Sequence, residues 1–146
     1  MRRAVRVIVF KDNNLLVMKR NKFGTQYYTL IGGAIGIGET PEHALEREVA
    51  EETMLQLGKT RLVFVEDAGE PYGVQFVYLA DYIGGEPKLN PSSDEASINQ
   101  MGKNLYEPMW LPVSELAGAN FISPKIQRTL VDALQNGFPD KPVDIS

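Results

Sequence analysis

Apolar residues fall along this chain in short runs that alternate with polar ones and break at glycine, proline and asparagine. Arg6 to Phe10 and Leu15 to Arg20 are rich in Val, Ile and Leu and flank the turn-forming Lys11-Asp12-Asn13-Asn14, so they read as a β-hairpin. Tyr27 to Ile31 reads as a further strand, leading through Gly32-Gly33 into a glycine-punctuated loop that ends at Glu39. A helix is expected next: Thr40 suits its cap, Pro41 its first position and Glu42 the positive end of its dipole, with a stop at Gly58. Arg61 to Asp67 and Val74 to Ile83 form a second strand pair across Gly69-Glu70-Pro71-Tyr72-Gly73. Residues 84–106 are long and irregular, and such a segment in a compact domain reads as either a binding loop or a disordered stretch, the first being favoured. Trp110 to Val113 adds a short strand, and Ser123-Pro124 opens a second helix with Ile126, Leu130 and Leu134 on its apolar face. The pattern predicts an α+β fold with residues 1–138 as one domain and 139–146 as a polar tail that frays.

The 146 residues are 43% apolar and 23% charged, ordinary values for a globular domain. No apolar run reaches the length of a membrane span, and Met1 to Phe10 is too short and polar for a signal peptide, so a cytoplasmic protein is expected. Without cysteine there are no disulfides and no thiolate metal sites, which leaves hard, oxygen-bound cations. The net charge of −4 disfavours long nucleic acids but permits small anionic ligands held through a cation. Seven bases face Asp12 alone in the first 22 residues, so the rest of the chain carries −10. Among those bases Arg20 and Lys22 are candidates to steer phosphate, although most such residues only solvate a strand face.

The chemistry concentrates in Arg47-Glu48-Val49-Ala50-Glu51-Glu52. At 100° per residue Glu48, Glu51 and Glu52 share one helix face, in line with Ala44 and Leu55, where a helix ordinarily places its buried stripe. A solvated acidic face is the ordinary reading, but here Glu48 and Glu52 repel at i, i+4 and only Arg47 stands near enough to compensate. Converging carboxylates of this kind suit magnesium, and Gly32 and Gly33 let the backbone approach and turn a carbonyl toward it.

Gly33, Glu39, Arg47, Glu48, Val49, Glu51, Glu52 and Leu55 together resemble the signature of the Nudix hydrolases, matching eight of its nine specified positions over 23 residues. Tyr28, Leu30 and the stretch Tyr106-Glu107-Pro108-Met109-Trp110-Leu111-Pro112 also look like the family, so the resemblance covers about Val5 to Leu134. It implies an α/β/α sandwich around a mixed sheet and a magnesium-dependent hydrolase, with manganese as a substitute, that cuts a phosphoanhydride in a nucleoside diphosphate derivative. By that resemblance Glu48 and Glu52 bind the metal, Glu51 adds to it or to a second ion, the Gly33 carbonyl completes the protein ligands and Arg47 orients the carboxylates. Glu39 is expected to secure the loop by pairing with Arg47. The general base is sought at Glu51 first, then at Glu95 and Glu107; the last two, with Arg20, are candidates for substrate contact. Met54 replaces the signature's second glycine and Gly36 a frequent acid. These departures leave open a non-catalytic ligand-binding or regulatory module, and the acidic surplus leaves open a protein-interaction domain. A homodimer is compatible with the sequence, which does not fix the oligomeric state.

Overall fold

A computed structural model of the chain describes residues 2–146; the expected domain start at Met1 lies outside them. The elements in order are β1 (Arg3–Ile8), β2 (Phe10–Lys11), β3 (Asn14–Lys22), β4 (Thr25–Thr29), β5 (Ile31–Ala34), α1 (Pro41–Glu52), β6 (Gln56–Asp67), β7 (Val74–Gly84), α2 (Asp94–Asn99), β8 (Asn104–Pro112), α3 (Val113–Leu116), β9 (Phe121–Ile122), α4 (Pro124–Asn136) and β10 (Val143–Asp144). The fold is α+β, and its strands divide between two mixed sheets. One runs β10-β6-β7-β1-β5, with β1 parallel to β7 and antiparallel to β5. The other runs β2-β3-β4-β9, and β8 pairs with β3 from Asn14↔Pro112 to Lys22↔Asn104.

The expected first hairpin is therefore only partly realised. Phe10–Lys11 pairs with β3, whereas β1 belongs to the other sheet. Ala4, Val5, Val7 and Ile8 are all buried, and a strand apolar on both faces is driven to the middle of a sheet. The side chains of β1 divide between two cores. Ile8 packs with Val17, Val63, Leu111 and the α4 residues Ile126, Leu130 and Ala133. Val5, Val7 and Val9 pack with Leu16, Ile31 and the α1 residues Ala44, Leu45 and Val49. On α4, Ala133 takes the buried place assigned to Leu134, which is 41% exposed. The Ser123 hydroxyl caps that helix by accepting from the Ile126 N–H.

Three other expectations change. The segment 84–106 is ordered: Lys88 and Asn90 N–H donate to the carbonyls of Thr53 and Glu51 at 2.9 and 2.8 Å, and α2 follows behind its Ser93 cap. The segment thus satisfies carbonyls that the end of α1 leaves free. The last strand of the sequence reading is longer than Trp110 to Val113, because β3 offers a ladder along its whole length. The tail does not fray throughout: Val143 and Asp144 pair in parallel with Phe64 and Val65. No helix among the described residues is long and apolar enough to cross a membrane.

Candidate active site

Helix α1 begins as its sequence dictates, with the His43 N–H donating to Thr40 Oγ1 at 3.1 Å and Pro41 in the first turn. It ends at Glu52 rather than at Gly58. The N–H groups of Thr53 and Met54 both donate to Val49 O, Thr53 Oγ1 donates to the same carbonyl at 2.7 Å, and Met54 takes φ 56°. Met54 thus adopts the left-handed conformation in which a glycine would ordinarily end the helix. Strand pairing requires this early stop, since β6 already begins at Gln56 opposite Gly84.

One face of α1 carries Glu48 and Glu52 into the protein at 7% and 4% exposure. Glu95, on α2, meets them: one carboxylate oxygen from each of the three lies within 4.8 Å of the others. Glu52 Oε2 and Glu95 Oε2 are buried with no hydrogen-bond partner. Burial raises the pKa of Glu48, and burial followed by the nearby Glu48 raises that of Glu52 well above the usual carboxylate range. Buried carboxylate oxygens without donors are costly unless something positive meets them, so the donor set suits a hard divalent cation. Gly33 lies directly against this group, for a Cβ there would stand 2.5 Å from Glu48 Oε1. Its neighbour Gly32 runs so close to the Val5 carbonyl that no side chain fits there either.

Glu51 is placed differently. It is half-exposed, outside the three-acid group, and makes only a 3.5 Å contact with Arg47 Nη1. Arg47 engages the loop and the helix at once. Its Nε and Nη2 donate to the two Glu39 oxygens at 2.8 and 2.9 Å, Nη2 also to Ala34 O at 3.1 Å, and Nη1 to Glu48 Oε1 at 3.0 Å. Glu39 accepts from the Gly36 N–H as well, at 2.6 Å. The Arg47 bonds, and then the Gly36 N–H, lower the Glu39 pKa to about 2.

The acids line a cleft of about 490 Å³ that also takes in Arg6, Arg20, Tyr27, Tyr106, Glu66 and Gln75. The Arg20 guanidinium lies 3.6 Å from the centre of the Tyr106 ring and bonds Leu105 O and Asn104 Oδ1. Glu107 is not among the cleft residues. It neighbours Tyr106 on a strand, so period two turns it to the opposite, exposed face. Lys22 lines the cleft and His43 is exposed. Phe23 is 70% exposed, whereas Tyr28 and Trp110 pack against the two cores.

The sequence reading passed over Arg6 and Glu66. Each interrupts an apolar strand at even spacing from buried neighbours, Arg6 between Ala4 and Ile8 and Glu66 two residues after Phe64. That spacing was the available signal. Arg6 Nε donates to Gln75 Oε1 at 3.0 Å and Nη1 to Leu30 O at 3.1 Å, and its burial lowers its pKa.

Comparison with known proteins gives the family and the fold. A family model described as the NUDIX domain matches residues 1–133. The NAD-capped RNA hydrolase NudC of Photobacterium profundum is 33% identical over 128 residues, which are 86% of this chain and 43% of that protein. The chain thus spans less than half the length of that relative. An ADP-ribose pyrophosphatase of Methanocaldococcus jannaschii is 38% identical over 112 residues, 71% of this chain and 66% of the relative. A NUDIX hydrolase from Nitrosomonas europaea has a similar structure, with a TM-score of 0.68 at 16% identity, covering 94% of this chain and 90% of the other; at that identity the likeness attests the fold alone.

Proposed function

The chain belongs to the Nudix family, and on that premise we propose that it is a pyrophosphohydrolase that uses a divalent ion to cut the phosphoanhydride of a nucleoside diphosphate linked to a second moiety. The observation that carries this reading is the pair of buried, partnerless oxygens on Glu52 and Glu95, facing Glu48 within one cleft. Glu48, Glu52 and Glu95 would hold the ion, with the Gly33 carbonyl beside them. Magnesium, or manganese in its place, would there neutralise the diphosphate and lower the pKa of water.

The protein's own groups do the rest. Arg47 fixes Glu48 against the loop by bonding Glu48, Glu39 and Ala34 O together, so the carboxylates are positioned before substrate arrives. Arg6 and Arg20 place positive charge along the cleft toward the phosphates. Glu51, half-exposed, outside the three-acid group and held weakly by Arg47, is the helix acid free to accept a proton from the attacking water. The relatives' names point to adenosine-containing diphosphates among the compounds to try first. Met54 gives no support to a non-catalytic module, because it keeps the turn that a glycine would make.

The test is to incubate the purified chain with magnesium and a panel of nucleoside diphosphate derivatives and to quantify the nucleotide products. Turnover that Glu52→Gln abolishes is the expected result. No turnover on any compound, with Glu52→Gln indistinguishable from the parent, would sink the hydrolase; binding without turnover would favour the ligand-binding module.

A further inference from the structure

Glu66 lies in the same cleft as the three acids but far from them along the sheet. The row Glu66↔Gln75↔Ala4↔Ala34 crosses β6, β7, β1 and β5. Three strand spacings put the Glu66 backbone about 14 Å from the loop beside Gly33. That is the reach of a nucleoside diphosphate lying with its phosphates on the acids and its base at Glu66.

Glu66 is 4% exposed, lines the cleft, and pairs with no Lys or Arg among the described residues. Its one donor is the Ser123 hydroxyl, whose single hydrogen is shared between Oε1 at 2.9 Å and Oε2 at 3.1 Å. Gln75, directly opposite, is held elsewhere: one Nε2 hydrogen goes to Tyr72 O at 2.7 Å and its Oε1 accepts from Arg6, and its second amide hydrogen makes no bond to Glu66 among the described residues. A carboxylate has room for about four hydrogen bonds and acts only as an acceptor when ionised, so Glu66 presents unused acceptor sites to whatever enters. Pro71, Tyr72 and Ile122, the last next to Ser123 in the chain, line the same cleft. A lining of apolar groups with one acid among them suits a flat heterocycle carrying an N–H donor better than a polyhydroxylated sugar.

Resting on the hydrolase reading above, we infer that Glu66 accepts a hydrogen bond from the exocyclic amino group of the substrate's nucleobase and so sets the base preference of the cleft. Uncharged carbonyl edges are disfavoured there, since an oxygen facing the carboxylate repels it and leaves it unpaired.

Calorimetry tests this on the whole chain in magnesium, using ligand pairs that differ by the amino group alone: ADP against purine-riboside diphosphate, GDP against IDP, and CDP against its 4-deamino analogue. In the parent chain at least one pair should separate by about tenfold or more, the usual effect of a hydrogen bond to a charged group. Glu66→Gln should erase that separation while leaving its melting transition cooperative. Equal or undetectable binding across every pair in the parent overturns the assignment without recourse to the variant, and so does a separation that persists in Glu66→Gln. Hydrolysis measured in parallel keeps the two readings apart: an amino preference without turnover removes the hydrolase, and turnover without an amino preference removes the role of Glu66.

Discussion

Arg47 grips Glu39 with two parallel hydrogen bonds of 2.8 and 2.9 Å, joining the end of the glycine loop to the helix eight residues later. The same guanidinium reaches Ala34 O and Glu48. One side chain therefore sets where the loop lies against the acids.

Arg47→Lys should lose this arrangement while keeping the charge, because an ammonium cannot offer a planar fork to several acceptors at once. The pair is partly exposed and screened by solvent, so only a small loss of stability is expected to go with it. Activity should fall by more than about tenfold, since Glu48 is left unpositioned. Steady-state kinetics and thermal melting would show both; unchanged kcat/KM would remove the positioning role.

The same pair should mark the pH dependence of stability. The Glu39 pKa is lowered from 4.5 to about 2 by Arg47 and then by the Gly36 N–H. A carboxylate lowered on folding contributes stability that is present above its unfolded value and is lost as pH falls through the folded one. The melting difference between the parent and Glu39→Gln should therefore be steady above about pH 5 and shrink between 4.5 and 2. A difference that stays flat across that window would contradict the pairing.

Glu52→Gln should separate stability from function. Glu52 is 4% exposed, sits beside Glu48 and holds an oxygen without a partner. Removing its charge should stabilise the metal-free protein by about 1 kcal/mol or more. Magnesium should then raise the melting temperature of the parent but not of the variant. A variant that melts lower than the metal-free parent would count against the strained acid group.

Met54→Gly should stabilise the chain by about 1 kcal/mol, because φ 56° strains a residue with a Cβ and suits glycine. Met54 is 51% exposed, so little packing is lost with its side chain. Met54→Ala should bring no such gain. Chemical denaturation of both variants gives the comparison, and equal effects would show that backbone strain is not the cause.

Much of this protein is legible locally. The capping of α1 by Thr40 and of α4 by Ser123, the glycine loop and the acidic stripe all follow from residue types at fixed spacing. The helix end was misread because local preference places no stop at Met54, while the β6–β7 ladder, formed by residues far along the chain, demands one. Glu95 shows the same division. Its segment carries no periodicity that would aim it, and it meets Glu48 and Glu52 because Lys88 and Asn90 dock on the carbonyls that end α1.

The sequence by itself determined which acids, glycines and caps this protein has and how α1 presents Glu48 and Glu52, since helical geometry needs only neighbours within two turns. The tertiary structure decided that Glu95 faces those two acids while Glu51 stays outside their group, that β1 and β3 part into different sheets, and that Glu66 and Arg6 share one cleft. Those relations join residues tens of positions apart, and what fixes them is packing and strand pairing rather than local conformational preference.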